Sequence, residues 1–96
     1  MIGYIYKIYI KDCPEFNKVY IGSTSRKVHK RISEHKYKFN KGIKDTRSYY
    51  IYEYANNNGL KISYDIIEKF EYNSWSDMLL KELKYIREND NIINKI

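Results

Sequence analysis

Tyrosine, arginine, histidine and one glutamate are spaced along this chain in a way that could do chemistry. Tyr4 and Tyr6 stand two residues apart in Gly3-Tyr4-Ile5-Tyr6-Lys7-Ile8, and Tyr20 stands in Lys18-Val19-Tyr20-Ile21-Gly22-Ser23. Arg31 and His35 follow at a spacing of one helical turn, and Glu82 lies near the other end. A phenol can align or deprotonate a water. With an ordinary pKa near about 10 it is a poor base at neutral pH, so it needs a cation beside it. A guanidinium can clamp a non-bridging oxygen and stabilise developing charge. An imidazole can shuttle a proton or hold the attacking water. A lone carboxylate can hold Mg²⁺, which keeps most of its waters and needs one or two protein ligands. Together these are the parts of a metal-assisted phosphodiester hydrolysis. A single acidic candidate argues against a two-metal site, which needs several carboxylates.

Each of these residues also has a plainer reading. Twelve tyrosines in 96 residues make an aromatic core edge plausible for any one of them. Lys27, Arg31 and His35 stack along one helical face, which a solvated basic surface also explains. His29 lies on another face, so a two-histidine metal site on this helix is not expected. Gly22 is either a turn glycine needing positive φ or a place where a backbone, or DNA, comes close. Glu82 sits at the edge of an inward stripe formed by Leu79, Leu83 and Ile86. Lys81 and Lys84 are badly angled to pair with it.

The elements that must position these groups can be read from periodicity and punctuation. Residues 3–10 alternate like a strand, and 11–17, with the single proline, read as a loop. Residues 18–23 form a second strand, and so short a connection makes the pair an antiparallel hairpin. A helix is expected over about 26–39, with Ser23, Thr24 or Ser25 as its N-cap and Lys41-Gly42 ending it. A second helix runs from about 46 to 57 and closes at Asn56-Asn57-Asn58-Gly59. Residues 62–70 form a third strand, and a last helix over about 76–88 is capped by Ser74 or Ser76. Residues 89–96 read as a short tail. The order is β-β-α-α-β-α, an α+β domain with a small three-stranded antiparallel sheet flanked by helices, and 1–96 is one domain.

Composition narrows the partners. The net charge of +6 is unevenly spread: residues 1–48 carry twelve Lys/Arg against four Asp/Glu, whereas residues 49–96 carry six against eight. A basic half suits a phosphate backbone. No apolar run approaches the roughly 20 residues of a membrane span, and no signal-peptide block opens the chain. One cysteine, Cys13, precludes an internal disulfide and a paired-cysteine zinc site, which fits an intracellular setting in the cytoplasm or nucleus of a host cell or in a bacterial cytoplasm. The Lys, Asn, Ile and Tyr bias suggests an AT-rich source such as a virus, phage or low-GC bacterium.

The ordered set resembles the GIY-YIG nuclease superfamily, homing-endonuclease-like, over nearly the whole chain. Its second tripeptide matches as Tyr20-Ile21-Gly22. Its first matches as Ile5-Tyr6, with Tyr4 where the family has glycine. The family's helix arginine falls on Arg31, its histidine on His35 and its metal-binding glutamate on Glu82. Its C-terminal asparagine has two candidates, Asn91 and Asn94. The resemblance implies a DNA endonuclease using one Mg²⁺ or Mn²⁺ ion held by Glu82. Arg31 would stabilise the pentacovalent charge, and Tyr6, Tyr20 and His35 would position and activate water. Gly22, Lys27 and Lys30 are the candidate DNA contacts. Family members that choose sites usually carry a further DNA-binding module. No zinc motif or helix-turn-helix is evident here, so weak sequence preference, or a targeting domain or partner protein, is expected. The alternative is a basic domain that binds nucleic acid on a nuclease fold without cutting it.

Overall fold

A computed structural model describes residues 1–95. Strand β1 (Ile2–Ile10) is the centre of the sheet. It pairs antiparallel on one side with β2 (Tyr20–Thr24) and on the other with β3 (Ile62–Glu71), giving the order β2-β1-β3. The helices are α1 (Val28–Asn40), α2 (Ser48–Asn57) and α3 (Trp75–Glu88). The expected class and element order are both borne out.

The period of two along β1 sorts its side chains into two cores. Tyr6, Ile8 and Ile10 join Tyr20, Val28, Ile51 and Tyr52 beneath α1 and α2. Ile5 joins Ile21 and Ile92 on the other face, against Tyr85 and Ile86 of α3. The register of β1 against β3 slips between Ile5 and Tyr6, so a bulge lies next to a candidate site residue.

Several boundaries differ from those expected, each for a local reason. Ser23 and Thr24 stay in β2, and the Thr24 hydroxyl accepts from the Arg26 amide at 3.1 Å. That turn delays α1 to Val28, and Lys27 sits at its N-cap without a side-chain cap bond. Ser74, by contrast, caps α3 by accepting from the Asp77 amide, and Asp77 reaches back to the Asn73 amide. Such a cap contributes about 1 kcal/mol. Both Gly42 (φ +73°) and Gly59 (φ +63°) take the left-handed conformation that closes α1 and α2.

The inward stripe of α3 is not the expected one. Met78 is fully buried and Tyr85 and Ile86 are half-buried, whereas Leu79 and Leu83 are exposed to 39% and 40%. Trp75 and Leu80 are exposed as well. Four leucine and tryptophan positions at helical spacing fit a second face as well as the first. Met78, Glu82, Tyr85 and Ile86 define the face that the sheet covers.

The tail is also more than a tail. Val19 bridges in parallel to Ile92, with Val19 N–H donating to Asn91 O at 3.0 Å and Ile93 N–H to Val19 O at 2.8 Å. β2 itself starts at Tyr20, two residues later than expected. Asn94 continues the pairing with its side chain. Its Oδ1 accepts from Ile21 N–H at 3.0 Å and its Nδ2 donates to Ile21 O at 2.8 Å. One amide thus satisfies both backbone groups of a residue on the sheet's edge. Of the two candidate asparagines, Asn94 holds the strand that carries Tyr20 and Gly22. Asn91 bonds the Asn17 carbonyl in the preceding loop.

Replacing Asn94 with alanine should destabilise the domain by roughly 1–3 kcal/mol, since two partly buried backbone groups lose their partner. Amide hydrogen exchange at Ile21 should accelerate in the variant. Unchanged protection there would show that the edge is held by other contacts.

Candidate active site

Tyr6 and Tyr20 meet because of strand register. Tyr6 lies opposite Gly22 and Ile8 opposite Tyr20, so the two phenols are diagonal neighbours on one face with ring centroids 6.4 Å apart. Gly22 is what allows this. A Cβ built on it would lie 2.4 Å from the Tyr6 ring carbon Cζ and from the hydroxyl oxygen. Gly22 is buried within β2 and is not in the left-handed region, so a turn is not the reason for it. The close approach anticipated at this glycine is made by the Tyr6 ring, from inside the domain.

Helix α1 runs from surface to core as it passes the sheet. Lys27 and Lys30 are exposed at its start, Arg31 is half-buried one turn on, and His35 is 3% exposed another turn on. His35 Nε2 meets the Tyr6 hydroxyl at 2.8 Å, and its ring is edge-on to Tyr20 at 5.3 Å. Its other nitrogen, Nδ1, meets the Ser48 hydroxyl at 2.8 Å, and Ser48 meets the Thr46 hydroxyl at 2.6 Å. Arg31 Nη1 donates to Glu34 Oε2 at 3.0 Å, and Arg26 pairs with the other Glu34 oxygen. Burial opposes the charge on Arg31, but Tyr6, Glu34 and Tyr20 together favour it and hold the group protonated.

Glu82 arrives on α3 from the other face of the sheet. Its Oε1 accepts from the Ser23 hydroxyl at 3.0 Å. Lys81 turns instead to Glu68 at 2.8 Å, so the expectation that the neighbouring lysines leave Glu82 alone holds. Because β2 is an edge strand, groups from both faces converge around it. Glu82 acts electrostatically on both Tyr6 and Tyr20, and Arg31 acts on Glu82.

Burial governs the ionisation of this cluster. It pushes Tyr6 well above the usual phenol range, with Tyr20 adding to the shift and Arg31 opposing it. Burial and then Glu82 push Tyr20 up to about 12, against Arg31 and Thr46. Burial, then Arg31 and Lys38, press His35 down to about 4. Burial raises Glu82 too, with Ser23 and Arg31 resisting. No cluster of three or more His, Cys, Asp or Glu able to enclose a metal occurs among the described residues. Glu82 fits a cation as a single ligand. It is a desolvated carboxylate with hard oxygen donors, and no ion pair to it occurs among the described residues.

The five expected catalytic residues, Tyr6, Tyr20, Arg31, His35 and Glu82, are therefore brought together from β1, β2, α1 and α3. The GIY-YIG catalytic domain family matches the chain over residues 2–96. This chain belongs to that family. The family has a nuclease-type fold, and its first tripeptide here carries Tyr4, half-buried beside the main core, where the name has glycine. No curated protein and no solved structure matches the chain. No described helix is long and apolar enough to cross a membrane.

Sequence reading missed Ser23, Glu34, Thr46 and Ser48. From the sequence Ser23 reads as a strand end or a cap, and Thr46 and Ser48 as the start of a helix. The signal that could have found Ser48 is its position at the head of a helix packed beside the helix that carries His35.

Two outcomes follow from this geometry. Gly22→Ala should cost about 1–3 kcal/mol by overpacking, and should displace the Tyr6 hydroxyl from His35. Chemical denaturation of the variant checks the first, and the Tyr6 ring shifts in its NMR spectrum check the second. The second outcome concerns pH. His35 has an ordinary pKa of 6.5 and is pressed down to about 4 in the fold, so the unfolded chain takes up the proton first. Stability should decline as pH falls from 6.5 toward 4 and be regained above that window. Melting temperatures across the range should show the slope, and His35→Gln should flatten it. An equal slope in the variant would assign it to other groups.

Proposed function

We propose that this domain is a divalent-metal-dependent DNA endonuclease that hydrolyses phosphodiester bonds at the cluster around β2. The observation that carries the reading is the uncompensated Glu82 carboxylate beside Arg31 and two buried phenols, in a chain of the GIY-YIG family. Glu82 would hold one Mg²⁺ or Mn²⁺ ion. When bound, that ion supplies Lewis-acid stabilisation to the phosphate and to the leaving 3′ oxygen.

The chain's own residues do the rest. Arg31, kept protonated, stabilises the charge that builds on the non-bridging oxygens. Tyr6, Tyr20 and His35 position and activate the attacking water. Lys27 and Lys30, exposed at the start of α1, hold the phosphate backbone on either side and make binding salt-dependent. One such site cuts one strand, so a double-strand break takes two copies or two successive nicks.

Supercoiled-plasmid nicking at low salt tests the reading. Wild type should nick with Mg²⁺ and stop with EDTA. Glu82→Ala and Arg31→Ala should each lose about 10²–10³ in rate while keeping the fold and DNA binding. Nicking that survives EDTA or the loss of Glu82 would defeat the metal mechanism. Binding without cutting in all three proteins would leave a nucleic-acid-binding domain.

A further inference from the structure

The buried Tyr6 hydroxyl fixes the direction of a whole chain of hydrogen bonds. Tyr6 is 0% exposed, so its O–H proton needs an acceptor inside the protein. Among the described residues its hydrogen-bond partner is His35 Nε2 at 2.8 Å, and the neighbouring Arg31 can only donate. Nε2 must therefore accept. An imidazole that accepts at Nε2 is neutral and carries its proton on Nδ1, in keeping with its burial. Nδ1–H then donates to Ser48 Oγ at 2.8 Å, and the Ser48 proton goes to Thr46 Oγ1 at 2.6 Å. The half-buried Thr46 hydroxyl closes the series as the acceptor from Ser48.

Every link points the same way, and donors in series polarise one another. The chain runs from the fully buried Tyr6 to the half-buried Thr46. Resting on the nuclease reading, we propose that Ser48 and Thr46 are positioning residues. Through the one-way chain Tyr6 to His35 to Ser48 to Thr46, they hold His35 in its Nδ1–H tautomer and keep the Tyr6 hydroxyl donating to Nε2, which leaves the lone pairs of the Tyr6 oxygen for the site. Tyr6 is then the buried head of the chain. The N-terminus of α2, which contributes no residue to the tripeptides, becomes part of the site's support.

The test compares Thr46→Val with Thr46→Ser, since valine keeps the shape and removes the hydroxyl. Thr46 is only half-buried, so both variants should fold. Nitrogen-15 NMR of the His35 ring reads the tautomer, and single-turnover plasmid nicking with Mg²⁺ reads the chemistry. Wild type should show Nδ1–H. In Thr46→Val the Ser48 hydroxyl loses its acceptor and turns toward His35, so the Nε2–H form should gain population. The nicking rate should fall about tenfold with DNA affinity unchanged, the share of one hydrogen bond. Thr46→Ser should recover the tautomer and most of the rate. An Nε2–H tautomer in wild type, or wild-type nicking by Thr46→Val, would overturn the proposal. A wild-type chain that cuts no DNA would refute the nuclease reading instead, and the tautomer result would still decide the direction of the chain.

Discussion

The contact between the Tyr6 ring and Gly22 is the constraint on which the rest of this domain depends. It forces the β1–β2 register, because only a residue without Cβ can lie beneath the ring. It also places a hydroxyl deep in the core, where it costs stability unless it is bonded. His35 meets that need, and doing so anchors α1 across the sheet. Ser48 then satisfies His35 and anchors the start of α2. A requirement set by one buried phenol thus settles where two helices lie.

This economy suits a chain of 96 residues, which has little core to spare. The same side chains serve packing and site geometry, so the two cannot be separated by mutation as cleanly as in a larger enzyme. Tyr6 and Ile51 are both fully buried in one cluster with Tyr20. A change that loosens that cluster also loosens the phenols. Ser23 illustrates the opposite arrangement. It is polar, half-buried and far from the main cluster in role, and its clear contribution is to hold the Glu82 carboxylate.

Much of the fold was legible because its signals are local. Alternation marked β1, glycines marked the ends of α1 and α2, and the short connection marked the hairpin. The candidate site residues stood out by their order and spacing rather than by type, since tyrosine alone occurs twelve times in 96 residues. The supporting residues did not. A serine near a helix start is usually a cap, and nothing local distinguishes Ser48, which faces a histidine thirteen residues earlier in the chain. Asn94 poses the same difficulty, since its partner, Ile21, is 73 residues away. The stripe of α3 was misassigned because leucine spacing fitted two faces. Which face the sheet covers depends on where Glu82 and Tyr85 find partners, on Ser23 and Glu68.

The division of charge along the sequence takes on spatial meaning in the fold. The strongly basic first half supplies β1, β2 and α1, and with them Arg31, Lys27 and Lys30. The slightly acidic second half supplies α3 and Glu82. Arg31 and Glu82 do not neutralise each other by a direct ion pair: Arg31 is engaged with Glu34, and Glu82 with Ser23. A direct pair would close the site, since each charge would satisfy the other and neither would have capacity for a ligand. Arg31 shares its carboxylate partner with Arg26 and Glu82 has a hydroxyl partner, so the two stay close without neutralising each other. Glu34 also sets the position of Arg31 from within the same helix, so the guanidinium is held without help from the acidic half. The site is stable as it stands, yet it retains one anion and one cation, the two groups that the proposed mechanism assigns to a metal ion and a phosphate.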